Sequence, residues 1–229
     1  MVSGDLWIVV PALNESESIR GVVASLRAAG YEYVCVVDDG STDATGRIAH
    51  ESGAYVLRHI VNLGQGASLQ TGISFALSRG AQYICTFDAD GQHSPDAIAT
   101  MFQILALRDV DVVLGSRFLG RTVGMPWGRL ILLKAALAFT QLHSRLRVTD
   151  AHNGLRLLSR KAASEITIGQ PGMAHASDIL QQVADKGLTY AEVPVTITYS
   201  EYSKRKGQPG FEAFKILLDL LYRWMAYRR

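Results

Sequence analysis

The sequence predicts an α/β fold, a mostly parallel sheet flanked by helices. Three observations predict it. Short continuous apolar runs recur at residues 6–10, 34–37, 55–57, 83–87 and 110–115, and such runs mark strands buried on both faces. Segments of helical periodicity alternate with them, the pattern of βαβ units. Polar motifs fall where the runs end, and in an open parallel sheet ligands bind at the carboxyl ends of the strands.

Each element has its own signal. The first run is β-branched and ends at Pro11. Ile19, Val22, Val23 and Leu26 then follow helical spacing within residues 15–29, and Gly30 stands where a helix stops. The second run ends in Asp38-Asp39-Gly40, and Ser41 or Thr42 can cap a helix reaching about Gly53. After the third run, Leu69, Ile73, Ala76 and Leu77 mark another helix. The fourth run ends in Asp88-Ala89-Asp90-Gly91, and Ser94-Pro95-Asp96 opens a helix with Pro at its first position. The fifth ends at Gly115-Ser116-Arg117. Beyond Phe118 the pattern changes. Residues 126–145 read as a helix with a strongly apolar centre, 177–186 as a helix ended by Gly187, and 192–198 as a strand. A basic stretch, Lys204-Arg205-Lys206, precedes a last helix from about Phe211. This divides the chain into a domain over residues 1–210 and a C-terminal amphipathic helix over 211–229.

Composition narrows the class. The 229 residues are 48% apolar and 19% charged, enough for a core and unlike a disordered chain. A formal net charge of +2 excludes a typical nucleic-acid binder. Cys35 and Cys85 both lie inside apolar runs without metal-ligand spacing, so they read as buried reduced thiols of a cytoplasmic protein. Neither a signal peptide nor an apolar run long enough to span a bilayer is recognisable.

The chemistry centres on Asp88 and Asp90. Residues i and i+2 of an extended chain share a face, about 7 Å apart. Carboxylates this close repel, and one stays protonated unless a cation holds them. Hard divalent cations such as Mg²⁺ or Mn²⁺ take oxygen ligands and share them with phosphates, and Gln92 offers a further oxygen. A lone D-A-D-G is otherwise a solvated turn. At a strand end of a parallel sheet it becomes a candidate metal site, with Arg117 as a second positive group beside developing phosphate charge.

Four segments, taken together, resemble the family 2 inverting glycosyltransferases of the GT-A fold. They are Val9-Val10-Pro11-Ala12-Leu13-Asn14-Glu15, Val36-Val37-Asp38-Asp39-Gly40-Ser41-Thr42-Asp43, Asn62-Leu63-Gly64-Gln65-Gly66, and Thr86-Phe87-Asp88-Ala89-Asp90-Gly91-Gln92-His93. The nearest likeness is to the dolichyl- and polyprenyl-phosphate sugar transferases. Asp150-Ala151-His152-Asn153-Gly154-Leu155-Arg156 resembles the family's acceptor-side segment. The resemblance implies that Pro11, Ala12, Leu13, Asn14 and Glu15 line the nucleotide pocket and that Asp39 contacts base or ribose. It implies that Asp88, Ala89 and Asp90 face the diphosphate, with Asp88, Asp90 and Gln92 on the metal and Arg117 on phosphate. Gln65 stands where many relatives have lysine, so a hydrogen bond would replace a charge contact to the nucleotide.

The acceptor separates two readings. A sugar hydroxyl of a cell-surface glycan needs a carboxylate base, and Asp178 is the candidate, with Asp150 second. Asp178 reads equally as a helix-capping aspartate, and Asp150 as a partner for Arg156. A polyprenyl phosphate is already ionised and needs only positioning and charge neutralisation. The resemblance sets Asp150 and Arg156 on the acceptor side. For the lipid speak the apolar segment 130–139, which packs on the sheet or meets a lipid tail, the cluster Lys204, Arg205 and Lys206, and the apolar stripe Phe211, Phe214, Leu217, Leu218, Leu221 and Met225. With Arg223, Arg228 and Arg229 beside it, such a helix can lie on an anionic membrane; the alternatives are core packing and a homo-oligomer contact. The expected activity is thus metal-dependent hexosyl transfer from a UDP- or GDP-sugar to polyprenyl phosphate in cell-envelope glycan synthesis, at the inner face of the membrane.

Overall fold

The computed structural model describes residues 5–125, 128, 130, 131, 133, 134, 137, 141, 146–170, 172, 174–199, 201 and 202. Its described strands are β1 (Leu6–Ala12), β2 (Tyr33–Asp38), β3 (Tyr55–Arg58), β4 (Tyr83–Thr86), β5 (Val112–Val123), β6 (Arg156–Ser159) and β7 (Tyr190–Thr198). They form one seven-stranded sheet in the order β3-β2-β1-β4-β6-β5-β7. All neighbours pair in parallel except β6, which runs antiparallel between β4 and β5.

The helices cover both faces because β1 alternates. Ile8 and Val10 point into one core, shared with Ile19, Val22, Val23 and Leu26 of α1 (Ile19–Ala28) and Ile98, Met101 and Leu105 of α4 (Asp96–Arg108). Trp7 and Val9 point into the other. There they meet Leu69, Ile73 and Ala76 of α3 (Gln65–Ser78), Ala162 and Ala163 of α5 (Arg160–Glu165), and Ile179, Leu180 and Val183 of α6 (His175–Asp185). Both cysteines are buried and free, their thiols pushed up by burial, Cys35 to about 12.

Several expected boundaries shift, each for a visible reason. Residues 15–18 form a turn, and α1 starts at Ile19, where the amides of Ser18 and Ile19 donate to the Glu15 carbonyl. Helix α2 (Thr45–Glu51) starts after Asp43, not at Ser41 or Thr42. The Asp43 carboxylate accepts the Thr45 amide at 2.9 Å, while Ser41 Oγ accepts the Asn14 amide. Burial alone would raise Asp43, but hydrogen bonds from Thr45 and Ser16 outweigh it and hold the carboxyl down to about 2. Pro95 immediately precedes α4 rather than opening it. β5 runs eight residues past Gly115, its exposed outer half held by β7 across a register shift between Ser116 and Arg121. Strand β6 and helix α5 had no counterpart among the expected elements. Within 126–145 the described positions are helical, and Leu137 packs on the second core. The basic cluster Lys204–Lys206 and the expected helix over 211–229 lie outside the described residues. Among the described residues no helix is long and apolar enough to cross a membrane.

Candidate active site

The carboxyl ends of β1, β2, β4 and β5 meet on one rim, where the polar motifs converge. After β1 the chain turns at Asn14, in the left-handed region at φ 52°, which Asn tolerates better than most residues. The turn is stitched to the loop after β2. Asn14 Oδ1 accepts the Thr42 amide at 2.9 Å, and the Glu15 amide donates to Thr45 Oγ1 at 2.7 Å. Pro11, Ala12 and Glu15 are buried; Leu13 is half-buried and Asn14 exposed. Glu15 Oε2 accepts from Ser18 Oγ at 2.7 Å and from the Tyr202 hydroxyl at 2.6 Å. Burial and then the Glu15 carboxylate push that phenol up to about 12.

Asp39, expected on base or ribose, is largely committed to the protein. Its Oδ1 accepts His59 Nδ1 at 2.7 Å and the Leu63 amide at 2.9 Å, and its Oδ2 accepts the Gly64 amide at 2.7 Å. Burial opposes ionisation, but these donors prevail and hold Asp39 below its ordinary value. Each carboxylate oxygen has two acceptor positions, so Oδ2 keeps one for a ligand. His59 in turn bonds Thr71 Oγ1 at 3.0 Å, tying the loop after β3 to α3.

Asp88 and Asp90 sit just beyond β4, half-buried side by side. Asp88 is surrounded by donors. Gln65 Nε2 lies 3.3 Å from its Oδ1, and His93 Nε2 lies 3.3 Å from its Oδ2. Burial would raise Asp88, but the His93 hydrogen bond, with the charges of His93, Arg156 and His175, holds it low. Burial and then the Asp88 charge push Asp90 up to about 6. Gln65, expected on the nucleotide, faces Asp88 in this structure. Two glycines allow close approaches at the rim, one against this carboxylate and one at the start of α3. A Cβ on Gly154 would meet Asp88 Oδ2 at 2.2 Å, and one on Gly66 would meet the Gln170 carbonyl oxygen at 2.0 Å. The second contact brings the start of α3 against the segment that leads into α6.

The donor set fits a hard divalent cation. Burial and the Asp88 charge leave Asp90 with a raised proton affinity that a cation would relieve, and the Gln92 side chain is half-buried in the same loop. Among the described residues no group of three His, Cys, Asp or Glu side chains could hold an ion alone. Remaining coordination would come from water and phosphate, as Mg²⁺ prefers.

The residues that the resemblance sets on the acceptor side pair differently from the sequence expectation. Asp150 bonds Arg117, not Arg156: its Oδ2 accepts Arg117 Nε at 2.5 Å and the Arg117 amide at 3.1 Å. Arg117 also donates to the His152 carbonyl at 2.8 Å and to the Tyr199 hydroxyl at 3.3 Å. Both members of the pair are buried. Arg156 is buried with Nη2 3.4 Å from the Ala151 carbonyl and Nη1 without a partner among the described residues. Burial lowers it to about 10, against the pull of Asp88 and Asp150. Burial and then Arg156 lower both His152 and His175 to about 4, so both imidazoles are neutral at pH 7. Asp178 lies in the first turn of α6; its Oδ2 accepts the Gly169 amide at 3.0 Å and its Oδ1 accepts Gln182 Nε2 at 3.2 Å.

Sequence reading passed over His59, His93, His175, Tyr199 and Tyr202. Only His93 carried a local signal, its place directly after Gln92. The others reach the rim from segments far away along the chain.

A parallel-sheet rim with paired acidic residues at the β4 end and Gly-flanked loops is the architecture of a GT-A glycosyltransferase. Residues 7–167 match Glycosyl transferase family 2, and the chain belongs to that family. It is 30% identical to the UDP-N-acetylglucosamine–dolichyl-phosphate N-acetylglucosaminyltransferase of Methanococcus voltae, over 94% of each chain. It is 30% identical to the polyprenol monophosphomannose synthase of Mycolicibacterium smegmatis, over 91% of this chain and 84% of that one. Its fold matches that of glucosyl-3-phosphoglycerate synthase from Mycobacterium tuberculosis, crystallised with Mn²⁺, UDP-glucose and phosphoglyceric acid, at a TM-score of 0.74. That match has 20% identity and covers 96% of this chain and 79% of the other.

Proposed function

We propose that this glycosyltransferase moves a hexose from a UDP- or GDP-sugar to a polyprenyl phosphate, with inversion and with Mn²⁺ or Mg²⁺ bound by Asp88, Asp90 and Gln92. The observation that carries the reading is the Asp88–Asp90 pair side by side beyond β4, where burial and then the Asp88 charge hold Asp90 high. The ion, when bound, neutralises the charge that develops on the leaving diphosphate. The residues of the chain do the rest. The turn over Pro11–Glu15 and the remaining acceptor position of Asp39 orient the nucleoside. Arg156 Nη1, buried and unpartnered among the described residues, is a donor for a phosphate oxygen. An acceptor phosphate oxygen attacks the anomeric carbon, the bond from that carbon to the diphosphate breaks, and its electron pair leaves with the nucleoside diphosphate. No proton has to be removed from such a nucleophile. The engagement of both Asp178 oxygens by Gly169 and Gln182 and the acceptors in the names of the two relatives support the lipid over a sugar hydroxyl. Peripheral membrane contact through residues 211–229 and the cluster Lys204, Arg205 and Lys206 belongs to this proposal.

The test is transfer with Mn²⁺ and labelled UDP- and GDP-sugars, offered undecaprenyl phosphate and, separately, a glycan. Label is expected in the lipid. Label in the glycan alone would overturn the proposal and make Asp178 the leading base.

A pH dependence follows. A proton and the cation compete for Asp90, so transfer at limiting Mn²⁺ is expected to fall as pH drops through about 6. Raising Mn²⁺ should move the midpoint to lower pH. A midpoint indifferent to Mn²⁺ would dissociate Asp90 from the metal.

A further inference from the structure

We infer that His93 is a positioning residue: its imidazole N–H fixes the orientation of the Asp88 carboxylate and so sets the affinity of the site for a divalent cation. The inference rests on Asp88 being a metal ligand, as proposed above.

The geometry is specific. His93 is buried, and its Nε2 lies 3.3 Å from Asp88 Oδ2. A carboxylate only accepts, so the nitrogen facing it carries the proton. The ring is held independently of Asp88. It stands edge-on to Phe87 at 5.7 Å between centroids, and its backbone forms an antiparallel bridge with Ile197 of β7. The neighbouring Gln92 carbonyl accepts the Thr198 amide at 3.1 Å. Strand β7 thus clamps the loop that carries Asp88, Asp90 and Gln92.

The clamp has a chemical consequence. Rotation about the terminal torsion of an aspartate is broad and two-fold, whereas Mg²⁺ demands near-octahedral ligands at about 2.0–2.1 Å. Gln65 Nε2 on Oδ1 and His93 Nε2 on Oδ2 restrain that rotation from two different elements. Of the two, only His93 is itself fixed by a strand of the central sheet. Partners that orient a metal ligand typically account for about 10- to 100-fold in metal affinity or activity.

The experiment is Mn²⁺ binding to the full chain, followed by the paramagnetic signal of free Mn²⁺, with Mn²⁺ alone and with UDP or GDP added. His93→Phe keeps the ring and its contact with Phe87 but has no N–H. It is expected to bind Mn²⁺ about tenfold or more weakly, with an unchanged melting temperature. His93→Gln restores an N–H donor and is expected to recover part of the loss. Should the Phe variant not fold, His93→Leu against His93→Gln gives the same comparison. Mn²⁺ binding by the Phe or Leu variant as tight as in the unaltered protein would overturn the inference, as would a Gln variant as weak as the variant without a donor. Failure of the unaltered protein to bind Mn²⁺ even with UDP or GDP would overturn the metal reading itself, and this inference with it.

Discussion

Asp90→Ala is expected to abolish sugar transfer while leaving the protein folded and somewhat more stable. The activity loss follows from the role assigned to the acidic pair. Removing one preorganised electrostatic stabiliser from an active site costs on the order of 10²–10³ in turnover, and here the cation itself would be lost with the carboxylate. The stability gain follows from linkage. Burial and the Asp88 charge raise Asp90 from 3.8 to about 6 in the folded chain. The native state therefore binds this proton more tightly than the unfolded state does. Stability contributed by Asp90 is complete below its ordinary value and is lost as pH rises towards about 6. At pH 7 the ionised side chain is a net cost, which alanine removes. Assays of transfer and thermal melts at pH 7 check both halves. Residual transfer above about a tenth of the original would refute the metal assignment by the magnitude above. A lower melting temperature would show that Asp90 is structural.

The acidic pair was legible because it needs only two local facts, a β-branched apolar run and the carboxylates at its end. The same logic finds β1, β2 and β4, which are buried on both faces of the sheet and therefore apolar up to their carboxyl ends. It could not find β6. Arg156-Leu157-Leu158-Ser159 is four residues long, and it is a strand because β4 and β5 leave a gap that it fills antiparallel. The outer half of β5 is largely exposed and mixes apolar with polar residues, and its pairing with β7 comes from a partner about 75 residues on in sequence. Asp39 illustrates the same limit inside the site. Its place after β2 was readable, but the donors that occupy it come from His59, Leu63 and Gly64, whose approach depends on how the loop after β3 folds back. Asp150 reads from the sequence equally as a second base candidate and as a partner for Arg156, while the structure pairs it with Arg117 across 33 residues, because β5 and the loop before β6 meet at the rim.

That pair carries the second large expectation. Asp150→Ala is expected to destabilise the protein by about 3–5 kcal/mol, since removing one partner leaves a buried charge uncompensated. Against a typical native stability of about 5–15 kcal/mol this is a large fraction. The melting temperature should fall by roughly 10 °C for a domain of this size. The charge, rather than the shape, is the expected cause. Asp150→Asn retains an oxygen for Arg117 Nε and should lose less than alanine does. Arg117→Met combined with Asp150→Leu removes both charges and should be less destabilised than Asp150→Ala alone. The comparison also decides between two roles for Arg117. An arginine kept for substrate phosphate would tolerate loss of Asp150 in a melt and show the damage in KM. An arginine whose Nε, Nη1 and Nη2 are already given to Asp150, Tyr199 and the His152 carbonyl shows it first in the melt. The geometry favours the second, which makes Arg117 the pillar that holds β5, the Asp150 loop and the end of β7 together. A normal melt with a raised KM for the nucleotide-sugar would return Arg117 to the phosphate.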